Sequence, residues 1–152
     1  RLRCDWSSDV CSSDLLKRLW LIFIVTIFPL TCDSTEFECE QHNISKCNSD
    51  DKKTNIRVFN NSDYNFCNVL ISTTGEGRNH GEIKSGENTC YRTYDKAYNY
   101  AYVSLIIDGE DLVIQPIDYV GETPLGVGYF TYHLNVEEIN NKKQLSIYAT
   151  SN

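Results

Sequence analysis

Few side chains in this sequence have the types and spacing that catalysis or metal binding requires. The three histidines are His42, His80 and His133. Their separations fit no metal-ligand pattern, because zinc sites take His and Cys ligands in closely spaced pairs. The sequence also lacks a Gly-x-Ser-x-Gly elbow, a phosphate-binding glycine loop and an HExxH motif. We therefore predict no catalytic residue, no metal site and no cofactor.

Acidic side chains cluster at two predicted turns. Asp108, Glu110 and Asp111 surround a glycine turn, and Asp118 and Glu122 border the loop VGETPLG. Carboxylates are ligands for Ca²⁺, but neither cluster has the ligand repeat of a calcium-binding loop. Ordinary turn chemistry is the simpler interpretation.

Four cysteines lie after residue 32: Cys39, Cys47, Cys67 and Cys90. If the protein is exported, they can form disulfides. Four cysteines allow three connectivities. We expect Cys39 to pair with Cys47, which closes a small loop. For Cys67 and Cys90 the sequence leaves two alternatives open, a second disulfide or a buried thiol with a surface thiol.

The central part of the chain alternates apolar and polar residues, with turn residues between the runs. Eight strands are predicted: Ile56–Asn60, Phe66–Thr74, His80–Lys84, Asn88–Tyr94, Tyr98–Asp108, Leu112–Tyr119, Gly128–Val136 and Gln144–Thr150. No segment with helical periodicity competes with them. Residues 55–150 are therefore predicted to form an all-β antiparallel sandwich of about seven to eight strands.

The central hairpin has one aliphatic and one tyrosine-rich face. The aliphatic face, which includes Val103 and Leu105, is assigned to the core. The other face contains a candidate binding surface: Tyr98, Tyr100, Tyr102, Gln115 and Tyr119. Tyrosines suit sugar rings and protein partners. Two alternatives stay open: they cover the sheet as cross-strand pairs, or this face packs against the second sheet.

The first residues are not expected to belong to the native protein. Asp5–Leu15, DWSSDVCSSDL, resembles the translation of a sequencing-library adapter over its whole length. Residues 1–15, with Cys4 and Cys11, are therefore left out of reasoning about the fold.

Residues 16–32 are arranged like an export signal. A cationic pair precedes the apolar run Leu19–Leu30, which is shorter than the about 20 residues of a transmembrane helix. Cys32 follows, and PLTC resembles a bacterial lipobox, in which the Cys thiol takes the lipid. Thr31 and Leu30 depart from the small residues usual there, so plain secretion is the alternative.

Residues 33–54 are predicted to be a disordered tether, because they are highly charged and have almost no apolar periodicity. From Asp33 onward the chain has ten Lys and Arg against 18 Asp and Glu, a net charge of −8. A domain of this charge is not expected to bind nucleic acid or anionic lipid.

Residues 55–150 are similar to small bacterial envelope lipoproteins with an immunoglobulin-like sandwich. The similarity rests on RVFNNSDYNFCNVLIST, HGEIKSGENTCY and YAYVSLIIDGEDLVIQPIDYVGETPLGVGYFTYHL. It implies a fold and a location in the cell envelope, at the outer membrane or in the periplasm, and transfers no catalytic residue.

Together these patterns indicate an exported protein, anchored to the membrane by a lipid on Cys32, whose domain is a binding or structural module for a protein or glycan. The first alternative is an inhibitor or immunity-type protein that blocks an exported hydrolase through the loop Val120–Val127. The rival class is a small secreted hydrolase, which requires a cleft where Asp, His or Tyr side chains converge.

The lipid anchor predicts a specific modification. Palmitate should label the chain expressed in a bacterium, and processing should be sensitive to globomycin, because the Cys32 thiol is the acceptor. Cys32→Ser should abolish labelling, while Cys47→Ser should retain it. Labelling that survives in Cys32→Ser would contradict the assignment.

Overall fold

The computed structural model describes residues 38–40 and 43–152. The adapter-derived segment 1–15, the signal peptide with Cys32, and parts of the tether, 33–37 and 41–42, lie outside the described residues. Their assignments therefore remain predictions. Within the described part of the chain, no helix is long and apolar enough to cross a membrane.

Eight strands form the described fold, and they confirm the all-β prediction. The strands are β1 Thr54–Asn60, β2 Cys67–Thr73, β3 Glu76–Asn79, β4 Arg92–Tyr94, β5 Tyr102–Ile107, β6 Glu110–Ile114, β7 Gly128–Ile139 and β8 Lys142–Ser151. The prediction placed the third strand at His80–Lys84, whereas β3 ends at Asn79. The central hairpin is shorter than predicted, since β5 begins only at Tyr102 and β6 ends at Ile114.

The strands form two four-stranded sheets, ordered β4-β1-β7-β8 and β3-β2-β5-β6. All pairs are antiparallel except β1 with β7, which run parallel in register from Thr54↔Gly128 to Asn60↔Leu134. The prediction of a purely antiparallel sandwich is wrong for this pair. A parallel pair needs a long crossover, and the chain from β2 to β6, which includes all four strands of the other sheet, supplies it here.

The core lies between the sheets and is built from the alternate residues that each strand turns inward. The fully buried apolar side chains come from both sheets: Ile56, Val58, Val69, Ile71, Val103, Leu105, Tyr132 and Leu134. The predicted aliphatic face of the central hairpin is confirmed, because Leu105 pairs with Leu112 and both are buried. Burial of such side chains is the main term that favours folding.

Two-residue turns set the register of the hairpins. Asp108 and Gly109 have φ values of 52° and 82°, and Asn140 and Asn141 have 53° and 58°. Positive φ at both central residues is the type I′ geometry that matches the twist of paired strands, and Gly, Asn and Asp adopt it most readily. The turn therefore explains why an aspartate stands at position 108. Glu110, in the same acidic cluster, accepts a hydrogen bond from Lys143 at 3.1 Å.

The segment that precedes β1 is held against the sheets, and we call its described part, 38–40 and 43–53, the strap. The backbone N–H of Ser45 donates to Asn79 at the end of β3, and that of Asn48 donates to Tyr91 next to β4. The strap therefore bridges the outer strands of both sheets on one side of the sandwich. The prediction of a disordered tether is wrong for these residues.

The disulfides connect this strap to the sheets. Cys39 bonds to Cys67 in β2, and Cys47 bonds to Cys90, each with 5.6 Å between Cα atoms. Both the predicted Cys39–Cys47 pair and the alternative Cys67–Cys90 pair are wrong. The strap crosses the sheet edges, so each of its cysteines lies opposite a cysteine of the domain rather than opposite the other.

A buried polar cluster lies beneath the strap. Arg92 Nη1 donates to His80 Nδ1 at 3.0 Å, which leaves Nε2–H of His80 to donate to the Tyr94 hydroxyl at 3.1 Å. Arg92 Nε donates to the carbonyl of Ser45 at 2.9 Å. Burial lowers the pKa of His80 well below its ordinary value, and the Arg92 guanidinium lowers it further. His80 is therefore neutral in the fold.

This cluster predicts acid sensitivity. The native pKa of His80 lies below the unfolded value, so stability is fully present above about pH 6.5 and falls as pH decreases toward the native pKa. Between about pH 7 and pH 5 the wild type should lose about 1 to 2 kcal/mol more than His80→Gln. Gln can still accept from Arg92 and donate to Tyr94. Urea unfolding of both proteins at several pH values measures this difference. If the free energy of unfolding falls equally with pH in both proteins, the prediction is contradicted.

Candidate functional site

A groove of about 370 Å³ opens at one end of the β3-β2-β5-β6 sheet, and we call it the tyrosine groove. Ser72 of β2 and Tyr102 of β5 are paired across the sheet and lie at its base. The segment 115–119 after β6 forms one wall, and Thr74 and Gly75 of the β2–β3 turn lie at the rim. The strands therefore fix the base of the groove, and two loops form its sides.

Stacked aromatic rings support this wall. Tyr119 stacks on Tyr98, with 4.5 Å between ring centroids and 11° between planes. It also stacks on Tyr100, at 5.5 Å and 18°. Lys96 Nζ lies 5.3 Å from the centroid of the Tyr98 ring. Tyr119 lies outside the strands, and these contacts hold its ring at the groove.

The groove contains three of the five residues predicted for a binding face. Tyr102, Gln115 and Tyr119 line it. Tyr100 lies behind Tyr119 and donates from its hydroxyl to the carbonyl of Asp118 at 3.2 Å. Tyr98 is only 5% exposed, so its placement on an exposed face is wrong. The reason is that β5 begins at Tyr102, and alternation does not govern the residues before a strand.

The chain exposes apolar side chains at the groove wall and at the start of the loop that follows it, whereas the second half of this loop is anchored. Ile117 in the wall is 100% exposed, and Val120 at the start of the loop is 88% exposed. Leu125 packs on the core and its N–H donates to the carbonyl of Ala97, at 2.9 Å. Thr54 Oγ1 donates to the carbonyl of Gly126 at 2.6 Å. The predicted loop Val120–Val127 therefore has an exposed beginning and a fixed end.

A second pocket, of about 360 Å³, lies between this loop and the strap. Lys52, Lys53 and Lys96 contribute to its lining, together with Asp95. Lys53 Nζ donates to Asp95 at 2.6 Å, and this contact lowers the pKa of the Asp95 carboxyl. Three lysines thus lie at this end of an otherwise acidic domain.

Sequence reasoning missed a second aromatic row, on the outer face of the β4-β1-β7-β8 sheet. His133 stacks on Tyr148 at 4.6 Å and meets Phe59 edge-on at 5.4 Å. These residues belong to three different strands and are direct register partners. Each strand shows its own alternation in the sequence, but only the order β1-β7-β8 places the rings side by side.

The groove offers aromatic faces, hydroxyls, one amide and one carboxylate. Burial raises the pKa of the Tyr119 hydroxyl, so it stays protonated at neutral pH and can donate as well as accept. His80 is buried beneath the strap and His133 lies on the other sheet, so neither faces the carboxylate of Asp118 in the groove. Among the described residues, no three His, Cys, Asp or Glu side chains form a group that could hold a metal ion. The arrangement is suited to stacking and hydrogen bonding.

Comparisons with known proteins give no relative. No protein-family model, no curated protein and no solved structure matches the chain.

The stack predicts different roles for two neighbouring tyrosines. Tyr98→Ala should lower the free energy of unfolding by about 3 kcal/mol, because it removes a buried ring beneath Tyr119. Tyr100→Ala should cost about 1 kcal/mol, since that ring lies at the surface. Urea unfolding of both variants measures the difference. Equal losses would contradict the burial of Tyr98.

Proposed function

We propose that the protein is an exported module of the cell envelope that binds a glycan in the tyrosine groove. The observation that carries this proposal is the Tyr119 ring, fixed by stacking at the wall of an open groove that Tyr102 also lines. Sugar rings have apolar faces that stack on flat aromatic side chains, and their hydroxyls need donors and acceptors at the edge of the stack.

The polar residues of the groove fit such a ligand. Gln115 and Asp118 lie on the wall beside Tyr119, and Ser72 lies at the base near Tyr102. An amide, a carboxylate and a hydroxyl together donate to and accept from vicinal hydroxyl groups. A volume of about 370 Å³ is within the range of small-molecule sites.

Location in the envelope and anchoring by Cys32 are part of this proposal. Two disulfides support an oxidising compartment, since such bonds persist mainly outside the cytosol. The signal-like residues 16–32 supply the route to it. A lipid on Cys32 would hold the domain at the membrane, close to envelope glycans.

A second candidate is the inhibitor-type protein that acts on an exported hydrolase. It is favoured by the loop that begins beside the groove, where Ile117 and Val120 are exposed at 100% and 88%. Its far end is fixed through Leu125 and Gly126. A loop held in this way can insert apolar side chains into a cleft with little loss of conformational entropy.

Glycan binding is tested on an array of envelope glycans, followed by titration calorimetry with the best ligand. Tyr102→Ala should weaken binding about fivefold or more, because it removes an aromatic face worth about 1 kcal/mol or more. Tyr148→Ala is the matched control, since it removes an exposed tyrosine from the other sheet and should leave affinity unchanged.

The same experiment separates the two candidates. Val120→Asp should leave glycan affinity unchanged under the first proposal, because Val120 is exposed and lies outside the groove lining. Absence of any glycan ligand, together with a captured hydrolase whose binding is lost in Val120→Asp, would reject the glycan proposal in favour of the inhibitor.

A further inference from the structure

The two lateral sides of the sandwich differ. On one side the strap lies along the outer strands β3 and β4, held by hydrogen bonds to Asn79 and Tyr91 and by disulfides to Cys67 in β2 and to Cys90 just before β4. On the other side lie β6 and the long strand β8. In the described part of the chain, β8 pairs with β7 alone, in regular register from Phe130↔Ser151 to Ile139↔Lys142. This side therefore ends in a ten-residue strand without a bulge.

The hydrogen-bond pattern shows which backbone groups of β8 point outward. In an antiparallel pair, residues alternate between those bonded to the neighbouring strand and those directed away from it. Asn152 N–H donates to Tyr129 at 3.0 Å, so even-numbered residues of β8 bond to β7. Leu134 of β7, which lies opposite Ile147, supports this assignment. Its carbonyl points away from β8 and accepts a hydrogen bond from the N–H of Asn61, at 2.8 Å.

The odd-numbered residues therefore direct their N–H and C=O groups to the open side: Lys143, Leu145, Ile147, Ala149 and Ser151. The side chains of Leu145, Ile147 and Ala149 pack on the core but are only partly buried, because no strand lies beyond them. Proteins usually protect such an edge with proline, a bulge or inward-pointing charge. β8 has no proline and no bulge. Its one partly buried charge, Lys143, lies near the start of the strand, where it pairs with Glu110 of β6 in the same copy.

We propose that this edge is a self-association surface, at which β8 pairs antiparallel with β8 of a second copy, centred on Ile147. The two β4-β1-β7-β8 sheets then form one continuous eight-stranded sheet. The five outward residues of each copy donate and accept in turn, which gives about ten intermolecular hydrogen bonds.

The strand is complementary to itself in this register. Ile147 faces Ile147 of the second copy, and Leu145 faces Ala149, so partly buried apolar side chains cover one another. Lys143 faces Ser151, so the lysines of the two copies lie at opposite ends. β8 contains no carboxylate, although the whole chain has a net charge of −7, so no carboxylate of one β8 faces a carboxylate of the other. The two-fold arrangement is that of an isologous dimer.

Sedimentation equilibrium of the purified chain, with its disulfides intact, tests the proposal. The chain should form a concentration-dependent dimer. In hydrogen exchange, the amides of Leu145, Ile147 and Ala149 should be protected at least about tenfold more in the dimer than on dilution. The amides of Ser146 and Tyr148, bonded to β7, should be protected in both states. A chain that stays monomeric at all concentrations would overturn the proposal. A monomeric chain whose β8 edge binds a peptide of another protein would overturn it as well.

Substitutions test the register. Ala149→Pro removes an outward N–H without removing a bond to β7, so it should weaken the dimer about tenfold or more. Ser151→Lys places a lysine opposite Lys143 of the second copy and should weaken it several-fold, whereas Ser151→Glu should strengthen it by a similar factor. Position 151 is exposed, so neither change disturbs the fold. The proposal would be overturned if none of the three variants changed the dissociation constant of the dimer. It would also be overturned if Ser151→Lys and Ser151→Glu changed that constant in the same direction and by the same factor.

Discussion

The rest of the structure depends on the closure of one side of the sandwich by the strap. The strap spans the outer strands of the two sheets on this side, and two disulfides fix it to the domain. Beneath the strap the charged guanidinium of Arg92 is buried, and the carbonyl of Ser45 in the strap is one of its acceptors. The Ser45 carbonyl therefore offsets part of the cost of burying this charge, because a buried cation is tolerated only when its N–H groups have acceptors.

The two proposed binding surfaces lie away from the strap, one at the end of a sheet and one on the opposite lateral side. The tyrosine groove lies where β2, β5 and the segment after β6 meet, and among the described residues β8 is the outer strand beyond β7. The groove depends on loop residues held by stacking, whereas the edge depends on the backbone and side chains of one strand. A dimer through β8 extends the sheet that does not contain the groove, so both surfaces can act at the same time.

The errors of the sequence predictions have a common cause. Alternation predicted the inward face of β5 correctly, because a strand turns every second residue to the same side. It failed at Tyr98, which lies before the strand and is buried. It also gave no information on residues 43–53, whose polar composition resembles a linker. These residues are held by hydrogen bonds and by the disulfide of Cys47, and neither kind of contact leaves an apolar pattern in the sequence.

The sequence by itself determined the strand-rich character of the domain, the aliphatic core of the central hairpin and three residues of the groove, since local alternation and turn chemistry specify these. Tertiary structure alone decided the cysteine pairing, the parallel contact of β1 with β7 and the stacking of Tyr119 on Tyr98. Each of these joins residues far apart in the chain, and the order in which strands assemble decides which of them meet. Four cysteines permit three pairings, and only the path of the strap across the sheet edges selects one.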